Sequence, residues 1–160
     1  MPERMSGPEW MSGRVEGGVH RLPVRVYFED TDTGQMVYHA NYLRFMERAR
    51  TELLRLLGVS QSATMKGEGG AVLGFAVKSC AVAFRAPARL DDLLEVRTVN
   101  NGVGAAYIDF GQDIWRDETP IAEAQVRVVC LDGRGKPRRQ PAELVARLRT
   151  MLPTRDTAKA

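Results

Sequence analysis

The fold is decided by the stretch Val26-Tyr-Phe-Glu-Asp-Thr-Asp-Thr-Gly-Gln-Met-Val-Tyr-His-Ala-Asn-Tyr-Leu-Arg-Phe-Met-Glu-Arg-Ala-Arg50. This stretch places an acidic turn between an apolar strand pattern and a long amphipathic helix pattern. Two aspartates, Asp30 and Asp32, precede His39, which is one of only two histidines in the chain. Because the first backbone amides of a helix are free and carry partial positive charge, a carboxylate that faces them can support acyl chemistry.

The residues on either side of the turn predict a strand before it and a helix after it. Residues 23–29 alternate roughly between apolar and polar side chains, which predicts a half-buried strand that ends at Asp30. Within the turn, we expect Gly34 to take a positive φ angle. Apolar residues recur at three- and four-residue spacing from about residue 41 to residue 57, which predicts a helix that buries one face and ends at Gly58. The apolar positions are Tyr42, Phe45, Met46, Ala49, Leu53, Leu56 and Leu57.

The remainder of the chain predicts consecutive strands and a terminal helix. Strand patterns cover residues 71–86, 92–101, 104–116 and 120–131, and the first of these is expected to be bent or bulged near its middle. Asn100-Asn-Gly-Val-Gly104 is a hairpin signal, and Arg116-Asp-Glu-Thr-Pro120 is a second turn. Residues 141–152 predict a short helix with proline in its first turn.

These elements indicate an α+β fold, in which one long helix is wrapped by an antiparallel sheet of about five strands. The helix can hide its apolar face only against the concave face of the sheet. Since the other face also needs cover, we expect subunits to pair. We expect a flexible N-terminal extension over residues 1–20, one domain over residues 21–152 and a frayed tail over residues 153–160.

Composition indicates an ordinary soluble domain. The chain has 160 residues, of which 44% are hydrophobic and 27% charged, so it can bury a core without metal or disulfides. A formal charge of +3 suits an anionic ligand but selects none. The two cysteines, Cys80 and Cys130, lie far apart and outside any metal-binding pattern, which favours a reducing, cytoplasmic setting. No segment has the apolar run of a membrane span or of a secretory signal.

Several segments resemble the signature of hotdog-fold acyl-CoA thioesterases of the YbgC and 4-hydroxybenzoyl-CoA thioesterase type. They are Val24-Arg-Val-Tyr-Phe-Glu-Asp-Thr-Asp-Thr-Gly34, Val37-Tyr-His-Ala-Asn-Tyr42 and Glu47-Arg-Ala-Arg-Thr-Glu-Leu-Leu54. A fourth, Phe84-Arg-Ala-Pro-Ala-Arg-Leu-Asp-Asp-Leu-Leu-Glu-Val96, resembles the YbgC branch in particular, and the resemblance spans about residues 22–145. It implies the hotdog fold, dimers with active sites at the subunit interface, frequent pairing into homotetramers, and hydrolysis of short aliphatic or aromatic acyl-CoA thioesters.

The resemblance also implies roles for individual residues. Asp32 corresponds to the catalytic aspartate, and His39 belongs to the active site, with its backbone amide facing the thioester carbonyl. YbgC-type sequences often have glycine where this chain has Gln35. The chemistry is consistent, because helix-start amides stabilise a developing oxyanion while a carboxylate acts either as general base or as nucleophile. The sequence leaves both roles of Asp32 open.

Other polar residues are weaker candidates. Asp30 is expected to order the loop, Tyr42 to pack, and Glu47 to pair with nearby arginines; His20 receives no role. The candidates for binding the substrate, including the phosphates of CoA, are Tyr38, Asn41, Lys78, Arg85 and Arg89. For Tyr38, packing is the competing interpretation. No metal or separate cofactor is expected, since CoA is part of the substrate, and no nucleic-acid partner is expected because no aromatic platform accompanies the basic residues.

Two alternatives to hydrolysis remain at this stage. A hotdog hydratase or dehydratase would act on the same thioesters, but the acid and histidine of such enzymes are spaced differently from Asp32 and His39. A non-catalytic module would bind acyl-CoA or an acyl carrier protein within an envelope or lipid-synthesis complex. Thiol release from a panel of acyl-CoA substrates separates the three functions.

Overall fold

The computed structural model describes residues 8–59 and 73–155 of the chain. Its architecture is α+β, as expected. Short 3₁₀ turns occupy Glu9–Ser12 and Phe28–Asp30. The main elements in chain order are β1 (Arg14–Glu16), β2 (Val19–Arg25), α1 (His39–Leu56), β3 (Gly74–Phe84), β4 (Leu93–Val103), β5 (Tyr107–Arg116), β6 (Thr119–Leu131) and α2 (Ala142–Met151).

The strands form one antiparallel sheet in the order β1-β2-β4-β5-β6-β3. It has six strands where about five were expected, and the additional one is β1. Alternate residues of β4, β5 and β6 point toward α1 and are buried against it, so the expected wrapping of one long helix by the sheet is confirmed. The short β1 and the long β3 form the two edges of the sheet.

Helix α1 forms because its apolar residues repeat with the helical period and fill the core. Phe45, Met46, Ala49 and Leu53 are fully buried on its inner face. The helix ends where the sequence predicted. Gly58 adopts φ 83°, and the amides of Gly58 and Val59 donate to the carbonyls of Arg55 and Leu54, which is the Schellman pattern.

The strand before the acidic turn lies further upstream than predicted. The strand predicted over residues 23–29 is β2, Val19–Arg25, and the chain then leaves the sheet for the 3₁₀ turn Phe28–Asp30. The physical reason is the Asp30 carboxylate, which accepts a hydrogen bond of 2.8 Å from the Tyr27 amide and bends the chain. Alternating side chains alone do not reveal this competing hydrogen bond.

The turns of the sheet are partly as predicted. The hairpin signalled by residues 100–104 is confirmed, since β4 pairs antiparallel with β5, but its turn lies later than predicted, after Val103. Asn100–Gly102 is a bulge within β4, in which the Asn100 side chain accepts the Gly102 amide at 2.9 Å. The turn after Arg116 is confirmed, and Asp117 takes φ 51° there. The bulge expected near the middle of the edge strand is also confirmed, between Val77 and Ser79 of β3.

The N-terminal segment packs onto the domain well before residue 21. Strands β1 and β2 form a hairpin through Gly17 and Gly18, both with positive φ, and this Gly-Gly signal is what the prediction of an extension missed. His20, placed by the sequence at the edge of a tail, is 0% exposed. At the other end, the Arg155 amide donates to the Asn100 carbonyl. Residues 1–7 and 156–160 of the expected termini lie outside the described residues.

His20 ties this N-terminal hairpin to α1. Its Nε2 lies 2.7 Å from the Ser12 carbonyl oxygen, and the Ser12 hydroxyl donates to Glu52 on α1 at 2.8 Å. Burial lowers the pKa of His20, although the Ser12 carbonyl and the Glu52 charge act in the opposite direction. Folding therefore favours the neutral form of His20 over its protonated form.

We predict that this histidine makes the protein sensitive to mild acid. The pKa of an unfolded histidine is about 6.5, so below that pH the unfolded chain binds a proton more readily than the folded one. The free energy of unfolding should therefore decrease as the pH falls from about 6.5 toward the lower folded pKa. In His20→Gln, denaturant titrations between pH 7.5 and 5 should show a flatter dependence. The exposed His39→Gln is the matched control, and an unchanged slope in His20→Gln contradicts the prediction.

Candidate active site

The acidic turn is a tight loop that presents the Asp32 side chain to solvent. The Asp32 amide donates to the Met36 carbonyl at 2.9 Å, and the Gln35 amide donates to the Asp32 carbonyl at 2.9 Å. The Asp32 Oδ1 atom accepts the Gly34 amide at 2.8 Å. Because Oδ1 is held by the loop, the orientation of the carboxylate is fixed, and Oδ2 is the oxygen left for chemistry.

The residue with a positive φ angle in this loop is not the one that the sequence predicted. The positive φ in this loop belongs to Gln35, at 60°, and not to Gly34. Gly34 leaves room for the Asp32 carboxylate, since a Cβ atom there would lie 3.1 Å from Asp32 Oδ1 and would push that oxygen aside by a few tenths of an ångström. Gln35 thus adopts the left-handed conformation that glycine favours, at a cost of about 1 kcal/mol. The turn keeps this geometry although the sequence has no glycine at position 35.

Asp30 joins the turn to the helix, in agreement with its expected loop-ordering role. Its carboxylate holds the Tyr27 amide, and its backbone carbonyl accepts the Tyr38 amide and the Asn41 side-chain amide, each at 2.9 Å. Asp30 and Asn41 are both buried. Asn41 therefore holds the turn against α1 from below, and it does not line the open surface where direct substrate contact was expected.

The N-terminus of α1 opens toward this turn. The helix begins at His39, and no side chain among the described residues caps it. Its first amides point out of the helix with the positive end of the helix dipole, which favours an oxygen carrying negative charge. The His39 ring lies beside two aromatic rings, with centroid distances of 4.5 Å to Tyr38 and 6.2 Å to Phe84.

A cavity of about 270 Å³ opens beside the helix start. His39, Tyr42 and Phe84 form part of its wall, together with Met36 at the end of the acidic turn and Arg85 at the end of β3. An apolar wall beside free amides is suited to holding an uncharged acyl group with its carbonyl at the helix N-terminus. Phe84 and Met36 were not predicted as site residues, because only the fold brings residue 84 against residue 39.

Tyr42 supports the far wall of this cavity. Its hydroxyl accepts a hydrogen bond of 3.0 Å from the Ala88 amide, and both residues are buried. Burial raises the pKa of the Tyr42 phenol, and the charges of Asp92 and Asp32 act in the same direction, against the Ala88 amide and Arg116. Tyr42 thus packs, as expected, and also anchors the loop that follows β3.

The loop that follows β3 is held by a second carboxylate, Asp92. It accepts the Arg89 amide and the Arg116 guanidinium, each at 2.8 Å, and these bonds keep the pKa of Asp92 below its usual range although burial acts to raise it. The Val37 amide donates to the Ala88 carbonyl at 2.8 Å. This loop and the acidic turn therefore form one wall.

Of the predicted substrate-binding residues, some meet at this cavity and others do not. Tyr38 is 46% exposed beside His39, and Arg89 is exposed on the strand-like segment that pairs with Met36. Arg85 lines the cavity but also forms an exposed ion pair with Glu123 at 2.9 Å. Lys78 lies at the bulge of β3, six residues before Phe84, and does not join this group.

A polar network that the sequence did not reveal lies further along α1. The Arg50 guanidinium donates to the Gln112 side chain at 2.8 Å, and Gln112 in turn donates to the Met46 carbonyl and the Thr98 hydroxyl, each at 3.0 Å. Glu47 and Arg50 border a smaller cavity of about 130 Å³ between α1 and β3. Only the tertiary fold reveals this network, since Gln112 lies 62 residues from Arg50.

The described residues contain no cluster of His, Cys, Asp and Glu side chains that could hold a metal ion. Within the same ranges, no helix is long and apolar enough to cross a membrane.

Comparison with known proteins identifies close relatives. The sequence model of the thioesterase-like superfamily matches residues 26–148. The acyl-CoA thioester hydrolase YbgC of Escherichia coli is 47% identical over 128 residues, covering 79% of this chain and 92% of that relative. The acyl-CoA thioesterase YbgC of Haemophilus influenzae is 46% identical over 126 residues, covering 78% and 90%. The crystal structure of a probable thioesterase from Bartonella henselae has a TM-score of 0.74 at 36% identity, covering 77% of this chain and 99% of that one.

The Tyr42 hydroxyl gives a test of how the cavity wall is held. Tyr42→Phe should lower the free energy of unfolding by about 1–3 kcal/mol, because the buried Ala88 amide loses its acceptor. Tyr38→Phe removes an exposed hydroxyl and should change stability by less than about 0.5 kcal/mol. Urea denaturation of both variants measures the difference. Equal stability of the two variants would show that the Ala88 amide does not depend on Tyr42.

Proposed function

We propose that this chain, which belongs to the thioesterase-like superfamily, hydrolyses the thioester bond of acyl-CoA to give a free acid and CoA. The expected hotdog fold and thioester hydrolase class are confirmed by the matched relatives and the Bartonella henselae structure. The observation that carries the proposed site is the rigid acidic turn, which holds Asp32 and whose residue Met36 lines an apolar cavity together with His39 at the uncapped start of α1. Asp32 does not itself line this cavity, but its charge acts on the Tyr42 phenol in the cavity wall.

The proposed chemistry uses the helix start as the oxyanion site. The thioester carbonyl oxygen would accept hydrogen bonds from the first amides of α1, including that of His39. These donors are already oriented and strengthen as negative charge develops on the oxygen, an effect that typically contributes about 10²–10³ in rate per donor. The His39 imidazole at the cavity wall would add a further hydrogen bond to the carbonyl or donate to the leaving thiolate.

Asp32 would supply the nucleophilic half of the reaction through Oδ2. As general base it removes a proton from water, which attacks the carbonyl carbon and expels CoA thiolate. As nucleophile it attacks that carbon itself, giving a mixed anhydride that water then hydrolyses. After a single turnover in ¹⁸O-labelled water, label in Asp32 would establish the nucleophilic route, because water has then attacked the aspartyl carbon of the anhydride. Trapping the anhydride with hydroxylamine, which converts Asp32 to its hydroxamate, distinguishes the routes when water attacks the acyl carbon instead, since that attack labels only the free acid, as the general-base route does.

The apolar wall and the arginines near it support an acyl-CoA substrate with a short aliphatic or aromatic group. Phe84, Tyr42 and Met36 beside His39 offer an apolar surface for such a group. Arg85, which lines the cavity, and the exposed Arg89, which pairs with Met36 through the backbone, would bind CoA phosphates, or an acidic acyl carrier protein as partner. Cys80 and Cys130 are both free, which is consistent with the proposed cytoplasmic location.

A dimer through β3 is the proposed assembly. This edge strand is 11 residues long, and on its inner face Val77 and Phe84 are each about half exposed. A second copy that pairs antiparallel with the same edge would satisfy its backbone groups and cover these side chains. Two such dimers would form the expected homotetramer through other surfaces.

Asp32→Asn should abolish most of the activity. The amide oxygen still accepts the Gly34 amide, so the turn is preserved, but the group can no longer remove a proton or attack the carbonyl. We expect kcat/KM to decrease by at least about 10²-fold, measured as free thiol released from a panel of acyl-CoA substrates. Glu29→Gln, an exposed carboxylate in the preceding 3₁₀ turn, is the matched control.

Other outcomes of this assay identify the rival functions. Wild-type turnover in Asp32→Asn would overturn the proposed mechanism. Loss of the enoyl-thioester absorbance without thiol release would indicate a hydratase. Tight binding of a non-hydrolysable acyl-CoA, with negligible hydrolysis at every chain length, would indicate a binding module.

The dimer can be tested by crosslinking at its symmetry axis. Full antiparallel overlap of Gly74–Phe84 with its copy places Ser79 opposite Ser79, at a Cα separation of about 5 Å, which suits a disulfide. Ser79→Cys in a Cys80→Ser background should therefore form a covalent dimer on mild oxidation. Cys80→Ser alone is the control and should stay uncrosslinked. A monomer by sedimentation velocity, or no crosslink in the double variant, would contradict this pairing.

A further inference from the structure

The small cavity near the middle of α1 has a different character from the cavity at the helix start. Its floor is apolar and includes Phe75 of β3 and Phe110 of β5, whereas its rim carries Glu47, Arg50 and Thr51 of α1. Two opposite charges thus border a pocket that is otherwise suited to hydrocarbon. The function proposed so far uses none of these residues.

Arg50 is held with its charge at this pocket. Burial lowers the pKa of its guanidinium, and the Glu47 carboxylate acts in the opposite direction. Among residues 8–59 and 73–155, its hydrogen-bond partner is Gln112, whose own amide group is held by Met46 and Thr98. Since a guanidinium has five N–H donors, Arg50 retains donors that can face a ligand in the pocket.

The pocket is too far from the active site of the same chain to serve a short acyl group. Glu47 and Arg50 follow His39 by 8 and 11 residues, which corresponds to about 12 and 16 Å along a helix. A carbonyl bound at the helix start therefore leaves a six-carbon chain short of Arg50.

In the proposed dimer, the small pocket of one copy lies closer to the helix start of the other copy than to its own. Strand β3 runs antiparallel to α1, so that Phe84 lies beside His39 while Phe75 and Val77 line the small pocket. Pairing through the same edge places Gly74 opposite the partner's Phe84. In that pairing the small pocket of one copy would face the helix-start cavity of the other across the two β3 strands, so that one acyl group could reach both.

We propose that the pocket bordered by Glu47 and Arg50 receives the distal end of the acyl group bound at the active site of a second copy, and that Arg50 selects acyl groups carrying an uncharged polar atom there. This rests on the proposed thioesterase function and names its substrate class. Glu47 balances the charge of Arg50, so the pocket favours a hydroxyl over a carboxylate. At about 130 Å³ it holds only a small group, since a cavity of about 150 Å³ accommodates benzene.

Two isosteric substrates test the selection. 6-Hydroxyhexanoyl-CoA and heptanoyl-CoA differ only in whether the last heavy atom is oxygen or carbon. The wild-type kcat/KM should favour the hydroxylated substrate by about tenfold, as expected for a hydrogen bond to a charged donor. In Arg50→Met this ratio should fall to one or below, and in Arg50→Lys it should lie between the two values. Arg44→Met makes the same chemical change at an exposed position of α1 and should keep the wild-type ratio.

Glu47→Gln gives an independent test that leaves Arg50 and its bond to Gln112 in place. Without the balancing carboxylate the pocket becomes positive, so pimeloyl-CoA, which ends in a carboxylate, should gain several-fold relative to heptanoyl-CoA. This variant decides the question if Arg50→Met fails to fold. An unchanged ratio in Glu47→Gln, or an equal preference of the wild type for both isosteric substrates, overturns the proposal.

Mixed dimers test whether the pocket serves the other copy. A heterodimer of Asp32→Asn and Arg50→Met chains, isolated with two affinity tags, contains one site with both wild-type residues if they come from different chains. It should then show about half the wild-type activity and the full preference for 6-hydroxyhexanoyl-CoA. If each site takes both residues from one chain, the preference is lost. Hydrolysis with no selectivity refutes this inference alone, whereas no hydrolysis of any acyl-CoA refutes the proposed function.

Discussion

The structure depends on the hydrogen bonds of one buried residue, Asp30. Its carboxylate turns the chain out of β2 by holding the Tyr27 amide, and its carbonyl receives the Tyr38 amide and the Asn41 side chain at the start of α1. Strand, turn and helix are thereby joined at a single point. Because a buried carboxylate without a hydrogen-bond partner is costly, the bond from the Tyr27 amide favours this path of the chain, and the carbonyl bonds of Asp30 tie the acidic turn that carries Asp32 to the start of α1.

Much of the fold could be predicted because it follows from local patterns. The period of Phe45, Met46, Ala49 and Leu53 defines α1, and Gly58 ends it, since both effects act within one or two turns of helix. The predictions that were wrong involve local polar bonds that compete with the sheet. At Asn100 a side-chain bond to Gly102 forms a bulge and the turn follows only after Val103, and at Asp30 a side-chain bond ends a strand early. The N-terminal hairpin was missed because its strand β1 has only three residues.

The residues of the candidate site likewise fall into those that local sequence indicates and those that depend on tertiary contacts. Asp32 and His39 are close in sequence and stand within one motif, so the sequence alone proposes them together as site residues. The places of Phe84 and Arg50 in their cavities depend on β3 lying along α1. Phe84 meets His39, which is 45 residues away, and Arg50 bonds Gln112, which is 62 residues away. No pattern in a single sequence specifies which strand passes beside which turn of a helix. Asn41 shows the converse case, in which a residue close to the site in sequence faces inward and holds the backbone.

The short N-terminal hairpin has a consequence for how large an assembly can become. A sheet with two long open edges can add copies at both sides without limit, and such growth leads to fibres. Here one edge is the three-residue β1, with the exposed charges of Arg14 and Glu16, so only β3 offers a long template. When two copies join through β3, each consumes the only long edge of the other. With that proposed pairing, sheet growth would stop at two chains, because the three-residue β1 at the far edge offers little backbone for a further copy.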